Sequence, residues 1–163
     1  MTDATRDNSG GHLFHRYFDD IHPGDRLVSR GRTITETDIV NWCALTGDWH
    51  VLHTDAEHAA QSMFGQRIAP GILIFAIAAG LGVPPDSPRI LANYGTDRLR
   101  FLAPTFIGDT LHLEAEVQQC DDGKDDRSGV LTLSWNMVNQ NGRTVMASDL
   151  KVLMERRPAE GRA

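Results

Sequence analysis

Two carboxylates and two histidines lie within eight residues in the segment TGDWHVLHTD, which runs from Thr46 to Asp55. Asp48 and His53 are five residues apart, and in a loop that curls back such a pair can point into one small volume. A carboxylate beside an imidazole orients the ring and keeps it basic, as a general base acting on water requires. The alternative is that Asp48 is a turn aspartate bonded to local backbone and His53 an ordinary loop histidine.

The same histidines also fit a metal-site pattern. His50 and His53, with Asp55 or His58, offer imidazole and carboxylate ligands of the kind that suit zinc. Short histidine spacings indicate a metal only weakly when no helix fixes them, and Asp55 is better explained as a helix N-cap. His58 is typical of a solvated helix residue. We therefore expect no metal site.

Helix signals flank this polar segment. Thr35 is typical of an N-cap, Asp38 occupies the capping-box position, and a helix is predicted over about 36–45. Gly47 would end this helix as its C-cap. A second short helix is predicted over 56–63. The polar segment is thus expected to be a loop at the mouth of the core, where a rigid scaffold presents functional residues.

The next segment, APGILIFAIAAGLG, differs from the rest of the chain. From Gly71 to Leu81 it carries no charge and no polar side chain, and Pro70 suits a helix start. A helix that is apolar all round is expected to be buried all round. Because about a dozen residues are too few to cross a bilayer, the helix should be wrapped by protein.

The remaining segments read as strands. A short strand pair is predicted around HPGDRLVSRGRTIT, and DRLRFLAPTF reads as a strand broken by Pro104. Three later segments alternate apolar and polar residues and are joined by turns, the last of them the Asn-Gly turn in NQNGR. The expected inward residues are Leu111, Leu113, Ala115, Val117, Leu131, Leu133, Trp135, Met137, Met146, Ser148, Leu150, Val152 and Met154. Together these elements predict an α+β single hotdog fold, in which an antiparallel β-sheet wraps a buried central α-helix.

Composition places the chain in a broad class. Its 163 residues, with 40% hydrophobic and 23% charged, suit one domain, expected at 13–155 between a disordered tail at 1–12 and a second tail at 156–163. The net charge of −6 argues against nucleic-acid binding. No apolar run is long enough for a membrane span, and the first residues lack the pattern of a signal peptide. The two cysteines, Cys43 and Cys120, do not form a disulfide framework, so a reduced cytoplasmic setting is expected.

The polar segment and its surroundings resemble the MaoC-like dehydratases, the (R)-specific enoyl-CoA hydratase family. That family's pattern is Gly-Asp, a variable residue, Asn-Pro, an aliphatic residue and His, with a small residue six places later. The corresponding residues here are Gly47, Asp48, Trp49, His50, Val51, Leu52, His53 and Ala59. Downstream, FGQRIAPG resembles the family's FG…IAHG, and LRFLAPTFIGDTL resembles its strand signature ending in Gly-Asp. The similarity runs from about Tyr17 to Met154.

The resemblance implies a reaction and roles for matching residues. Asp48 and His53 would activate one water for addition across a trans-2-enoyl thioester, with syn protonation giving an (R)-3-hydroxyacyl product. Gly71 would donate its backbone N–H to the thioester oxygen, and the unpaired N–H groups at a helix start suit that role. The residues expected to contact the substrate are His50, Val51, Trp49, Pro70 and Arg67. The resemblance further implies an acyl-CoA substrate, no cofactor beyond that coenzyme A, and a homodimer or dimer-based higher oligomer.

The chain departs from the family pattern at four positions. His50 stands for the family's Asn, Val51 for its Pro, Pro70 for the His of AHG, and Ala79 for a Ser deeper in the helix. The first two departures bear on the acyl chain that is accepted. Three arginines could reach the phosphates of coenzyme A or simply solvate the surface: Arg67, Arg98 and Arg100.

Two rival functions fit the same fold. Hotdog thioesterases commonly carry a catalytic carboxylate on the central helix, and Gly71–Leu81 contains none. A non-catalytic subunit that binds acyl thioesters is suggested by the Asn, Pro and His departures. Release of free thiol from an acyl-CoA would favour the thioesterase, and tight binding without hydration would favour the binding subunit.

Overall fold

A computed structural model describes residues 12–158 of the chain. The expected N-terminal tail lies outside the described residues apart from His12, and so do residues 159–163 of the expected C-terminal tail. Two short 3₁₀ turns, Leu13–His15 and Phe18–Asp20, precede the main elements. The main elements are β1 (Arg26–Val28), β2 (Arg32–Thr33), α1 (Glu36–Thr46), α2 (Val51–Thr54), α3 (Ala56–Ala60), α4 (Gly71–Gly82), β3 (Ile90–Phe101), β4 (Thr110–Asp122), β5 (Ser128–Asn139) and β6 (Thr144–Glu155).

The strands form one antiparallel sheet in the order β1-β4-β5-β6-β3, with β2 also paired to β4. The α+β architecture expected from the sequence is confirmed, including the β4-β5-β6 meander. The strand pair expected around residues 22–35 is instead two separate strands, because β1 and β2 each pair with β4 and not with each other. β3 is longer than expected and lies at one end of the sheet.

The meander buries the residues that its alternation predicts. The four β4 residues, four β5 residues and five β6 residues named above as inward are all buried. Trp135, at the centre of β5, has no exposed surface. The outward residues of these strands are exposed or only half-buried over most of the sheet, which is why the period-2 pattern identified the faces correctly.

Helix α4 spans Gly71–Gly82, close to the expected range, but it is not buried all round. Leu73, Ile74 and Ile77 face the core, and the helix packs on β4, β5 and β6. The expectation of burial on every side is wrong for this chain, because the single sheet covers only one face of the helix. The exposed residues follow helical spacing along the other face: Ile72, Ala76, Ala79 and Gly80.

The first described residues close one end of the core. Leu13 and Phe14 are fully buried, and the Phe14 ring lies 6.4 Å from that of Trp135. At the other end of the described chain, Arg156 forms an ion pair with Asp19 at 2.9 Å. The two ends of the described chain are therefore held side by side.

Cys43 and Cys120 are both free thiols, Cys43 within α1 and Cys120 on β4. Within residues 12–158, each helix is too short or too polar to cross a bilayer.

Candidate active site

The polar segment forms a tight corner between two helices. The capping box at the start of α1 is confirmed: the Asp38 N–H donates to Thr35 Oγ1 at 3.3 Å, and Asp38 accepts from the Thr35 N–H at 2.8 Å. Gly47 ends α1 as expected, in the left-handed conformation with φ 76°. Only residues 47–50 separate α1 from α2, so the corner is anchored on both sides.

The part of this segment that follows the corner is helical rather than irregular. Residues Val51–Thr54 form α2, a single helical turn, and His50 is its N-cap. The Leu52 N–H donates to His50 Nδ1 at 3.3 Å, which satisfies one of the unpaired donors at the helix start. The expectation of a loop was wrong here, because histidine is not among the residue types that usually indicate a helix N-cap.

Asp48 lies on the connector between the two helices and is exposed. Its backbone N–H donates to Thr46 Oγ1 at 3.2 Å. Within residues 12–158 its carboxylate makes no hydrogen bond and no ion pair. The carboxylate is therefore free to bind a water or a ligand, and it is not oriented by any side chain of the described residues.

His53 is half-buried, and its ring is held by a backbone carbonyl. Nδ1 lies 2.8 Å from the carbonyl oxygen of Ile68. Because a carbonyl oxygen only accepts, Nδ1 must carry the proton, and in the neutral ring Nε2 carries the lone pair. His53 is therefore fixed in the tautomer that a general base requires. The ring of His50 lies 5.8 Å from that of His53.

An apolar groove of about 400 Å³ lies beside His53. It is open to solvent on one side, and its size and apolar character suit a small acyl group. The groove is lined by His53, Met63, Phe64, Ile68, Ala69, Gly71, Ile74, Phe101, Leu102, Ala103, Pro104, Thr105 and Val145.

Gly71 brings the start of α4 to this groove. It is the first residue of the helix, so its N–H has no carbonyl partner inside the helix, and Pro70 provides no side-chain cap. The positive end of the helix dipole is therefore directed to the same place. A Cβ on Gly71 would lie 2.8 Å from ring atoms of Phe101, so only glycine fits against this ring without displacement.

The structure brings two of the three candidate catalytic residues to one site. His53 and Gly71 both line the groove, whereas Asp48 is on the exposed connector and is not among the lining residues. Of the residues expected to contact substrate, Pro70 is buried as the N-cap of α4, and Trp49 is 55% exposed beside Asp48.

The other expected substrate contacts have intramolecular roles. His50 is the N-cap of α2, and Val51 is the first residue of that helix. Arg67 forms two hydrogen bonds to Glu36, from Nη1 to Oε1 at 2.7 Å and from Nη2 to Oε2 at 2.6 Å. These bonds lower the pKa of the Glu36 carboxyl and raise that of the Arg67 guanidinium.

The remaining two arginines also form hydrogen bonds within the chain. Arg98 pairs with Asp149 through Nε at 2.6 Å, and Arg100 donates to the Leu99 carbonyl at 2.9 Å. Asp55 is the N-cap of α3, as expected, and accepts from the His58 N–H at 2.9 Å. No group of three or more potential metal ligands comes together within residues 12–158.

Several groove residues were not foreseen. Phe101 is the last residue of β3, and Thr105 directly follows Pro104. The available signal for both was a strand that ends next to the buried helix. The Ile68 carbonyl could not be found from residue type, since it is a backbone group.

The fold and this corner can be compared with known proteins. A model of the family described as "MaoC like domain" matches residues 20–138. The MaoC protein of Klebsiella aerogenes is 44% identical over 102 residues, which cover 63% of this chain and 30% of that protein. An (R)-specific enoyl-CoA hydratase of Rhodospirillum rubrum is 36% identical over 104 residues, covering 63% of this chain and 70% of the relative. A 3-hydroxybutyryl-CoA dehydratase of Methylorubrum extorquens is 34% identical, and the match covers 64% of its length.

Solved structures give the same picture. A protein described as a monoamine oxidase regulatory protein from Archaeoglobus fulgius superposes with a TM-score of 0.83 at 38% identity, covering 88% of this chain and 96% of that one. A MaoC-like dehydratase from Rhodospirillum rubrum superposes with a TM-score of 0.78 at 30% identity, covering 88% and 99%. The sequence match spans less than a third of the Klebsiella protein, whereas these two structures are matched along nearly their whole length.

Proposed function

Since this chain belongs to the MaoC-like dehydratase family, we propose that it is a hydro-lyase that interconverts a trans-2-enoyl-CoA and an (R)-3-hydroxyacyl-CoA. Relatives named as a 3-hydroxybutyryl-CoA dehydratase and an (R)-specific enoyl-CoA hydratase support this reaction class. The reaction needs no cofactor, because both the hydroxyl and the proton come from water and coenzyme A enters with the substrate.

The observation that carries the proposal is the hydrogen bond from His53 Nδ1 to the Ile68 carbonyl at 2.8 Å. It leaves the lone pair on Nε2, so the neutral ring can accept a proton from water. A ring held in the opposite tautomer would present an N–H at Nε2 instead. General-base assistance of this kind contributes roughly 10²–10⁴-fold to a rate.

In the proposed step, a water in the groove loses a proton to His53 as its oxygen bonds to C3 of the enoyl group. The π electrons move toward the thioester, whose oxygen becomes enolate-like and accepts a hydrogen bond from the Gly71 N–H. Removing one such oxyanion donor typically costs about 3–4 kcal/mol of barrier. Return of that proton from His53 to C2, on the face that received the hydroxyl, restores the thioester and completes syn addition.

Asp48 is proposed to hold the attacking water together with His53 and to position it against C3 of the enoyl group. Two observations support this role. The corner fixes the backbone of Asp48, and the Asp48 carboxylate has no hydrogen-bond or ion-pair partner within residues 12–158. Since nothing in that part of the chain orients the carboxylate, the proposal requires the water or the substrate to do so.

The departures at His50 and Val51 are compatible with activity. In the family pattern these positions are Asn and Pro, residue types favoured at an N-cap and at the first helical position. His50 Nδ1 fills the capping role, and Val51 occupies the first position of α2. We infer that the two substitutions replace parts of a helix start and not groups that transfer protons.

A homodimer is proposed on the basis of the exposed apolar surface of the groove-side strand. β3 is at the end of the sheet, and an end strand offers unpaired backbone groups to a second copy. Leu91, Tyr94, Phe101 and Leu102 are each close to half exposed or more. Light scattering or ultracentrifugation should give twice the chain mass, and a monomer at micromolar concentration would contradict the proposal.

A panel of enoyl-CoA thioesters that differ in length, branching and carboxylation tests the function. We expect loss of the enoyl absorbance with formation of a 3-hydroxyacyl-CoA and no free thiol. Thiol release without hydration would identify a thioesterase instead. Binding of acyl-CoA with no turnover of any member would identify a non-catalytic subunit, and either result would overturn the proposal.

A further inference from the structure

Ile68 lies in the segment between α3 and α4 and is the junction that links this segment to α2. Its N–H donates to the Leu52 carbonyl at 3.1 Å, and its own carbonyl accepts from His53 Nδ1 at 2.8 Å. On the opposite side it forms a β-bridge with Phe106. The orientation of the His53 ring thus depends on where the backbone of residue 68 lies.

The residue before this junction is held by an ion pair from α1. Arg67 donates both terminal nitrogens to both carboxylate oxygens of Glu36, the first residue of α1. Planar two-bond pairs of this kind are the strongest and most directional ion pairs that arginine makes. Arg67 is mostly buried by its surroundings, with 23% of its side chain exposed, whereas Glu36 is half exposed.

We propose that the Arg67–Glu36 ion pair is a positioning pair that fixes residues 66–69 so that the Ile68 carbonyl holds His53 in its Nδ1–H tautomer. The ion pair acts through the backbone and touches neither the water nor the acyl group. The inference rests on the proposed function for the role of His53 as base, although the effect on the tautomer does not depend on activity. Arg67 is thereby assigned to the scaffold, and not to the phosphates of coenzyme A.

The tautomer of His53 can be observed directly by ¹⁵N NMR of the imidazole nitrogens at a pH where the ring is neutral. In the wild type we expect the Nδ1–H form to dominate. Arg67→Gln and Glu36→Gln should each give a mixture of tautomers, and Arg67→Lys, which keeps the charge but loses the two-bond geometry, should be intermediate. An unchanged tautomer in both glutamine variants would overturn the proposal.

A matched control removes a similar ion pair far from the groove. Arg89 and Glu155 pair at 2.6 Å with comparable exposure, at the end of β3 opposite Phe101. Arg89→Gln should leave both the His53 tautomer and the turnover unchanged. A change as large as that in Arg67→Gln would show that any lost ion pair loosens the fold, which would refute a specific role.

Kinetics on two substrates separate positioning from phosphate binding. With crotonyl-CoA and with crotonyl-pantetheine, which lacks the nucleotide phosphates, Arg67→Gln and Glu36→Gln should lower kcat by roughly tenfold, equally for both thioesters. A higher KM for crotonyl-CoA alone, confined to Arg67→Gln, would show that Arg67 binds the phosphates and would overturn the proposal. If the wild type hydrates neither thioester while the variants still change the tautomer, the proposed function fails and the positioning role stands.

Discussion

Helix α4 has a glycine at each end, Gly71 and Gly82, and each glycine lies against an aromatic ring. The two glycines nevertheless have different roles. At the groove end, a Cβ on Gly71 would lie 2.8 Å from Phe101, which is 46% exposed. At the core end, a Cβ on Gly82 would lie 2.2 Å from Trp135 and 2.4 Å from Leu113, both fully buried. The same missing side chain therefore leaves room beside the groove at one end and room for core packing at the other.

The difference follows from what the neighbouring ring can do. Phe101 can rotate toward solvent if a methyl group is added, at the expense of the shape of the groove. Trp135 has no space to move into, because protein interiors are close-packed. We therefore expect changes at the groove end to alter activity more than stability, and changes at the core end to alter stability more than activity.

The largest effect is expected from His53→Ala at the groove end and from Asp48→Asn on the exposed connector between α1 and α2. Each should lower kcat for crotonyl-CoA hydration by roughly 10²–10⁴-fold, because the proposed base or the proposed water-binding carboxylate is lost. The free energy of unfolding in denaturant should be nearly unchanged for Asp48→Asn and lowered by about 1 kcal/mol for His53→Ala, which loses the hydrogen bond to the Ile68 carbonyl. His58→Ala is the matched control, since the His58 side chain is exposed on α3 outside the groove. Turnover within threefold of wild type in either variant would contradict the expectation that changes at the site alter activity more than stability.

Gly82→Ala should lower the free energy of unfolding by about 2 kcal/mol or more, because overpacking a rigid core forces displacement. Gly80→Ala on the same helix is the control, since a Cβ there would have no neighbour within 4 Å. That change should stabilise the protein by about 0.5–1 kcal/mol through helix propensity. Denaturant titrations of both variants measure the difference, and equal effects would refute the packing explanation.

Gly71→Ala should cost about 1 kcal/mol or less of stability but lower kcat several-fold, since the displaced Phe101 ring or the new methyl group enters the groove. Adding Phe101→Ala should remove most of the stability cost of the first change, which a double-mutant cycle would detect. Purely additive effects on the free energy of unfolding would show that Gly71 and Phe101 do not interact.

Val51→Pro should stabilise the groove end by about 0.4–1 kcal/mol, because proline at a first helical position restricts the unfolded chain. His50 already has φ −59° and ψ 139°, the region that a residue before proline prefers. Thermal melts and denaturant titrations measure this effect. A loss of stability would show that the start of α2 is not as described.

The smallest effect concerns His12, near the core end of α4. Burial and the nearby His15 lower its pKa from 6.5, so the folded protein takes up this proton less readily than the unfolded chain. The contribution of His12 to stability is therefore complete above about pH 6.5 and is lost as the pH falls through its folded pKa. His12→Asn should lower the pH dependence of unfolding as the pH falls from neutral through 6.5 and below. An unchanged dependence would count against this role of His12.

The sequence predicted much of the fold because its signals were local and periodic. Thr35, Asp38 and Gly47 determined both ends of α1, and alternation identified the inward face of β4, β5 and β6. The exposed face of α4 was not predicted, since an all-apolar helix carries no periodic contrast that would show which side the sheet covers.

The candidate site was predicted less completely, and the reason is again physical. His53 and Gly71 were identified through residue pattern and helix start, and both line the groove. The Ile68 carbonyl that fixes His53 is a backbone group, so no residue type encodes it. The partner of Arg67 was also missed, because Glu36 lies 31 residues earlier in the chain and ion pairs leave no spacing signal over that distance.

The most direct test of the central claim is hydration of crotonyl-CoA by the wild-type protein in ²H₂O, followed by stereochemical assignment of the product. If the proposed function is right, the product should be (R)-3-hydroxybutyryl-CoA, the configuration that the family resemblance implies, with a single deuterium at C2 on the face that received the hydroxyl. The S product would contradict the proposed (R)-specific reaction, and deuterium on the opposite face would contradict syn addition in which His53 both takes the proton from water and returns it to C2.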